Sequence, residues 1–170
     1  MMSGFNIAYI SLGSNLGDRN KLLLAAEREI ENIQYIRILR RTSVLENRAL
    51  IYENQPDFLN QILEIETRFT PEILLEKLKS IENGIGRTRS FRYGPRLIDL
   101  DILSFGNVIR NTEDLILPHA GFYDRHYIRI LLEELSLTPE IIFPLHQISD
   151  SEGSYHAYNS REFVYGKRNG

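Results

Sequence analysis

Asp99 and Asp101 stand one residue apart in the run Leu97-Ile98-Asp99-Leu100-Asp101-Ile102-Leu103, whose other members are all apolar. Such a run reads as a strand, on which residues i and i+2 share a face about 7 Å apart. Carboxylates placed side by side repel each other unless a cation lies between them. An Asp-x-Asp pair is ordinarily the wet face of a half-exposed strand. Here the apolar neighbours point to burial, where an unpaired acidic pair is costly. A hard divalent ion answers that cost, and Mg2+ takes one or two carboxylates together with substrate phosphates. Just upstream, Arg87, Arg89, Arg92 and Arg96 put four guanidinium groups into ten residues of a chain whose net charge is −3. Each alone would pass as surface charge; beside an acidic pair they match phosphate oxygens, which the planar guanidinium fork suits. His119 follows Pro118, and Arg125 lies six residues on; a lone histidine is more often structural than functional. Carboxylates for a metal beside arginines for phosphates is the combination expected of nucleotide phosphate transfer.

Other chemistries lack their residues. No Gly-x-x-x-x-Gly-Lys-Ser/Thr run exists, and the glycines at 13 and 17 have no lysine with them, so this is not a P-loop enzyme. There is no Gly-x-Ser-x-Gly elbow. His119 and His126 are seven apart without supporting acidic ligands, and cysteine is absent, which removes zinc and thiolate sites. An acidic net charge argues against a protein that binds nucleic acid over its whole surface, and no strand carries the aromatic pattern of an RNA-binding ferredoxin-like module. No stretch approaches the roughly 18 apolar residues of a membrane span. The start, Met1 to Asn6, lacks the regions of a signal peptide. The expectation is a cytoplasmic monomer without membrane or nucleic-acid partners.

The elements that must hold these residues follow from patterning. With 170 residues, 42% hydrophobic and 25% charged, the chain suits one domain, residues 1–170, with a core over about 5–145 and a polar tail over 149–170. Phe5 to Leu12 reads as a strand, broken at Gly13. Asp18 reads as the N-cap of a helix to about Ile33, with Leu22, Leu23, Ala26, Ile30 and Ile33 on one face. Tyr35 to Leu45 and Phe58 to Glu66 read as strands. Thr70-Pro71 starts a helix whose core face is Ile73, Leu74, Leu78 and Ile81 and which Gly84 and Gly86 end. Leu97 to Phe105 is a strand that Gly106-Asn107 would turn into a hairpin with Val108-Ile109. Asp124 to Leu135 reads as a third helix. Strand–helix–strand–strand–helix–strand is the order of the α+β, ferredoxin-like split βαβ sandwich, an antiparallel sheet with helices packed on it.

The run Tyr93-Gly94-Pro95-Arg96 with Asp99-Leu100-Asp101-Ile102 resembles the signature of the 6-hydroxymethyl-7,8-dihydropterin pyrophosphokinase family. Leu12 to Asp18, Gln55 to Asn60, and Leu117-Pro118-His119 with Arg125 agree with it in order and spacing, so the resemblance covers about residues 5–145. It implies the ferredoxin-like fold and transfer of pyrophosphate from ATP to 6-hydroxymethyl-7,8-dihydropterin in folate biosynthesis, giving AMP and the pterin diphosphate. Carried over, Asp99 and Asp101 hold two Mg2+ ions. Arg87, Arg96, His119 and Arg125 contact ATP, with Arg89 and Ile102 beside the nucleotide, and Arg87 and Arg96 act in catalysis. Asn60 bonds the pterin edge, Tyr93 and Tyr127 sandwich the ring, and Phe58 lines the pocket. Glu82 matches an acidic position of the family without an assigned role. Asn47 and Arg48 stand where threonine and a neighbouring proline are usual, and Asn47 can still meet the pterin. Tyr93 replaces tryptophan, and Ala120 a larger side chain. The alternative that Asn47, Arg48 and Tyr93 support is a paralogue that binds nucleotide without turnover. The tail beyond about Ser149 has no counterpart.

Overall fold

A computed structural model of the chain describes residues 4–49, 54–86 and 97–145. Its first strand, β1 (Asn6–Ser14), leads through Asp18 into α1 (Arg19–Glu31). The Asp18 carboxylate accepts the Lys21 N–H and caps the helix, which buries Leu23, Ala26 and Ile30. Two short strands follow, β2 (Ile36–Arg41) and β3 (Leu45–Asn47), then the long β4 (Phe58–Thr67). Thr70 caps α2 (Pro71–Ile85) by accepting the Ile73 N–H at 3.3 Å, with Pro71 preset for the first turn. Gly86, at φ 99°, closes that helix in the left-handed conformation glycine adopts without penalty. Then come β5 (Asp99–Phe105), β6 (Arg110–Asn111), β7 (Ile116–Leu117), α3 (His126–Glu134) and α4 (Pro139–Ile142).

The main sheet runs β2-β4-β1-β5 with every neighbouring pair antiparallel, and β3 also pairs with β4. β1 and β2 are joined by α1 with β4 inserted between them, which is the split βαβ arrangement and the expected ferredoxin-like α+β fold. One sheet face buries Ala8, Ile10, Leu12, Leu63, Ile65, Leu100 and Ile102 against α1 and α2. The opposite face buries Tyr9, Ile62 and Leu103 against Phe122, Tyr127, Ile128 and Leu131. At roughly 25 cal/mol per Å2 of apolar surface removed from water, these two layers supply the main drive to fold.

Several boundaries differ from the sequence pattern. The strand expected over Tyr35–Leu45 is two strands that both run along β4, because the regular ladder is interrupted at Thr42: its N–H donates to Ile62 O, and its hydroxyl accepts the Ile62 N–H. Gly84 lies inside α2, and only Gly86 ends it. Gly106 does turn the chain after β5, but Val108-Ile109 does not return along that strand; the next ladder pairs Arg110 with Leu117 and Asn111 with Ile116. The third helix begins at His126, with Arg125 at its cap making no side-chain cap bond. No helix among the described residues is long and apolar enough to cross a membrane.

Candidate active site

Strand register brings the polar residues of three strands into rows on the face that α3 partly covers. Gly13 of β1 pairs with Asn60 of β4 on one side and Asp99 of β5 on the other. Ser11 likewise lies between Ile62 and Asp101. With strands about 4.8 Å apart, Asn60 and Asp99 sit roughly 10 Å from each other across Gly13. Asp99 and Asp101 are partly exposed while Leu100 between them is buried, so the acidic pair shares the open face as alternation requires.

Gly13 is the floor between the two sides. A methyl group on it would lie 3.1 Å from Asn60 Oδ1 and 3.6 Å from Phe58 Cδ1, so Phe58 and Asn60 both lean over a bare backbone. Asn60 is buried and donates through Nδ2 to Asn47 Oδ1, while Asn47 Nδ2 donates to the Arg48 carbonyl at 3.0 Å. Asn47 thus fixes which end of the Asn60 amide faces Gly13. The first loop braces this wall from behind: buried Asn15 donates to Gln55 Oε1 at 2.9 Å and to Pro56 O at 3.0 Å. Arg19 donates to Asp57 O at 2.8 Å and to Glu46 Oε2 at 2.9 Å.

On the acidic side, His119 is held at both ends of its own residue. Its backbone N–H donates to Leu103 O at 2.8 Å, and its Nδ1 accepts the Gly121 N–H at 3.0 Å. Accepting at Nδ1 leaves the proton on Nε2, which lies 4.0 Å from Asp101 Oδ2. Burial, and then the nearby Arg125 cation, push the imidazole down to about 3 against the opposing pull of Asp99, so it is neutral in the physiological range. Arg125 Nη1 donates to the Tyr127 hydroxyl at 3.4 Å, and that hydroxyl lies 3.4 Å from Ser11 Oγ. Burial disfavours the Arg125 charge, but Tyr127, Asp101 and Asp99 outweigh it and leave the pKa raised.

Of the residues expected to act, Asp99, Asp101, His119 and Arg125 come together, and Asn47, Phe58 and Asn60 form the opposite wall. Tyr127, in the first turn of α3, lies 7% exposed in the layer between that helix and the sheet, so its ring is mostly core and its hydroxyl faces Ser11 and Arg125. Ile102, also buried, is on the helix-side layer with Leu100. Arg87, Arg89, Arg92, Tyr93 and Arg96 lie outside the described residues, as does the tail over 149–170. Gly13 carried no role in the sequence pattern, although glycine inside a strand run signals a close approach. Glu82 acquires a contact: buried in α2, it accepts the Leu100 N–H at 2.8 Å, directly between the two aspartates.

Paired carboxylates, a neutral imidazole and a guanidinium thus gather at the open end of the antiparallel sheet of a ferredoxin-like domain. The family model described as 7,8-dihydro-6-hydroxymethylpterin-pyrophosphokinase (HPPK) matches residues 9–137, and the chain belongs to that family. It is 43% identical over 130 residues to the 2-amino-4-hydroxy-6-hydroxymethyldihydropteridine pyrophosphokinase of Bacillus subtilis, covering 76% of this chain and 78% of that one. It is 38% identical to the folic acid synthesis protein fol1 of Schizosaccharomyces pombe, where the match covers 81% of this chain but only 19% of the longer protein. In fold it is similar to the HPPK-DHPS of Plasmodium falciparum solved with pterin and p-hydroxybenzoate, with TM-score 0.60 at 15% identity over 92% of this chain and 44% of that one. The chain therefore spans less than half the length of that solved relative and about a fifth of the fission-yeast protein.

Proposed function

We propose that this protein transfers the pyrophosphoryl group of ATP to the hydroxymethyl group of 6-hydroxymethyl-7,8-dihydropterin, releasing AMP, as a step of folate biosynthesis. The observation that carries this reading is the row Asn60–Gly13–Asp99, which sets an amide-walled flat floor beside an acidic pair. A planar heterocycle needs area and a fixed donor–acceptor pattern, and the Gly13 floor with Phe58 and Asn60 above it offers both. The hydroxyl oxygen attacks the β-phosphorus of ATP. The bond from that phosphorus to the oxygen bridging to the α-phosphorus breaks, AMP leaves with that oxygen, and the hydroxyl proton goes to solvent. Positioning and charge stabilisation are the protein's share of such a transfer.

Among the described residues no group of three or more His, Cys, Asp or Glu is arranged so that it could hold a metal ion. A site with two carboxylates and no closed cage suits Mg2+ carried in on substrate phosphates, and does not suit a resident structural metal. Asp99 and Asp101 would hold such ions, which when bound supply charge neutralisation between the carboxylates and ATP. His119, neutral with its proton on Nε2, donates a hydrogen bond to phosphate without adding charge. Arg125 supplies fixed positive charge, and Arg87 and Arg96 add to it from the segment that precedes β5 in sequence, with Arg89 beside the nucleotide. Asn60 reads the pterin edge, and Tyr93 stacks on the ring.

AMP release from ATP and Mg2+, measured with and without the reduced hydroxymethyl-pterin, tests the reading. Pterin-dependent AMP formation in step with pterin diphosphate is expected. ADP as the nucleotide product, or AMP at the same rate without pterin, would refute it.

A further inference from the structure

The turn between Pro118 and α3 carries two of the phosphate-facing groups, and a residue without a side chain lies between them. Gly121 donates its N–H to His119 Nδ1 at 3.0 Å, and its carbonyl accepts the Arg125 N–H at 3.0 Å. Its backbone is not in the left-handed region that favours glycine, so any residue could adopt its conformation. What excludes other residues is space. A Cβ at Gly121 would stand 2.4 Å from Arg125 Nε, 2.7 Å from its Cδ and 2.8 Å from its Cγ. The Arg125 side chain therefore lies flat across the Gly121 backbone, and that path brings its Nη1 to the Tyr127 hydroxyl at the edge of the Ser11–Asp101 row. Arg125 is also the cap residue of α3 and makes no side-chain cap bond, so helix capping does not hold its guanidinium there.

We propose that Gly121 is a positioning residue for the nucleotide site: its missing side chain is the slot that lays Arg125 into the cleft, and its N–H fixes His119 with Nε2–H turned toward Asp101. The proposal rests on the reading of Arg125 and His119 as phosphate contacts. Gly121→Ala keeps the N–H, and so the His119 contact, but closes the slot. The atoms it meets belong to a long side chain that can swing outward, so the fold survives while the guanidinium is displaced.

The test uses the full chain as wild type, Gly121→Ala, Arg125→Ala and the double variant. Readouts are the dissociation constant of a non-hydrolysable ATP analogue with Mg2+ by calorimetry, the pterin Michaelis constant, the melting temperature, and the Arg125 Nε–H resonance. Charge-assisted hydrogen bonds of about 1.5–3 kcal/mol correspond to roughly ten- to a hundredfold in affinity. Gly121→Ala is expected to weaken the analogue about tenfold or more and move the Nε–H resonance, with the pterin constant and melting temperature little changed. In the Arg125→Ala background the same change should add nothing, because its target is gone. Losses that add in the double variant, or a weakened analogue with an unmoved Nε–H resonance, would show that Gly121 acts by another route and overturn the proposal. If Arg125→Ala weakens the analogue and Gly121→Ala does not, the proposal fails while the phosphate reading stands. If Arg125→Ala itself leaves the analogue bound as in wild type, the phosphate reading of Arg125 falls and the proposal with it.

Discussion

Replacing Gly13 by alanine tests the shape of the cleft floor with a single methyl group. The new Cβ would meet Asn60 Oδ1 at 3.1 Å and Phe58 Cδ1 at 3.6 Å, with no other heavy atom of the described residues outside its chain neighbours within 4 Å. The Phe58 distance is an ordinary contact. The Asn60 distance is too close by a few tenths of an ångström, and Asn60 is tied to Asn47 through its other amide atom, so it yields only by straining that bond. Against this strain, alanine in a strand gains about 0.5–1 kcal/mol over glycine. The two effects nearly cancel, and the melting temperature should move by only a few degrees. Pterin binding has no such compensation. The methyl lifts the ring off its floor, and the displaced Asn60 weakens a hydrogen bond worth about 0.5–1.5 kcal/mol. Together these predict a pterin Michaelis constant raised about tenfold. Asp99 lies beyond reach of the methyl, so ATP-analogue affinity should stay within twofold of wild type. Steady-state kinetics with varied pterin, alongside calorimetry with the analogue, separate the two sides. A pterin constant within twofold of wild type, or equal losses on both sides, would refute the placement of the pterin over Gly13.

Asp99→Asn and Asp101→Asn should each keep the far-ultraviolet circular dichroism of wild type and lose at least a hundredfold in AMP release, since each removes a charge that several kcal/mol of transition-state stabilisation depends on; activity within tenfold would end the metal assignment. Glu82→Ala should lower stability by about 1–3 kcal/mol in urea unfolding by leaving the buried Leu100 N–H without its acceptor. Glu82→Gln, which retains an acceptor oxygen, should recover most of that, and equal losses in the two variants would refute the hydrogen bond as the cause. His119 is held at about 3 against an ordinary 6.5. The unfolded chain therefore takes up this proton first as pH falls, so the contribution to stability is complete above about pH 6.5 and is lost toward pH 3, at up to about 1.4 kcal/mol per unit. The advantage of wild type over His119→Gln in urea unfolding should thus shrink between about pH 7.5 and pH 4, and a constant difference would show that the fold does not hold His119 neutral.

The fold was legible where a local signal and the global arrangement agree. Asp18, Thr70-Pro71 and Gly86 mark helix ends by chemistry that acts within a turn, and the structure uses each of them as a cap. Leu97 to Phe105 read as a buried strand because its apolar run is long, and β5 spans Asp99–Phe105. The hairpin after Gly106 failed because a turn signal states that the chain reverses, not which strand it then joins. Gly13 read as a strand terminator because its neighbours at 14 to 18 look like a loop, whereas pairing on both sides keeps it in β1 through Ser14. The acidic pair showed in spacing alone. The Glu82 contact, the Asn15 brace and the Gly121 slot join residues brought together by folding or by the course of a side chain, and no pattern of types along the chain encodes them.

Why these groups meet at one end of the sheet follows from how a single face is divided. Along β1, Tyr9 lies beneath α3, Ser11 meets its first turn at the Tyr127 hydroxyl and Gly13 follows, and along β5 Leu103 lies in the layer under α3 while Asp101 pairs with Ser11. Register shifts between Tyr9 and Ile10, where Tyr9 pairs with Ser104 and Ile10 with Ile102, leaving Leu103 as the extra residue. A bulge of this kind takes one residue out of the ladder. The Leu103 carbonyl instead accepts the His119 N–H at 2.8 Å. One irregular residue therefore does two things: it interrupts the β1–β5 ladder, which resumes at Ser104, and it gives the Pro118–His119 turn its anchor beside Asp101. Had β5 paired regularly through Leu103, that carbonyl would have been committed to β1, and the turn carrying His119, Gly121 and Arg125 would have had no backbone tie to the strand that bears the aspartates.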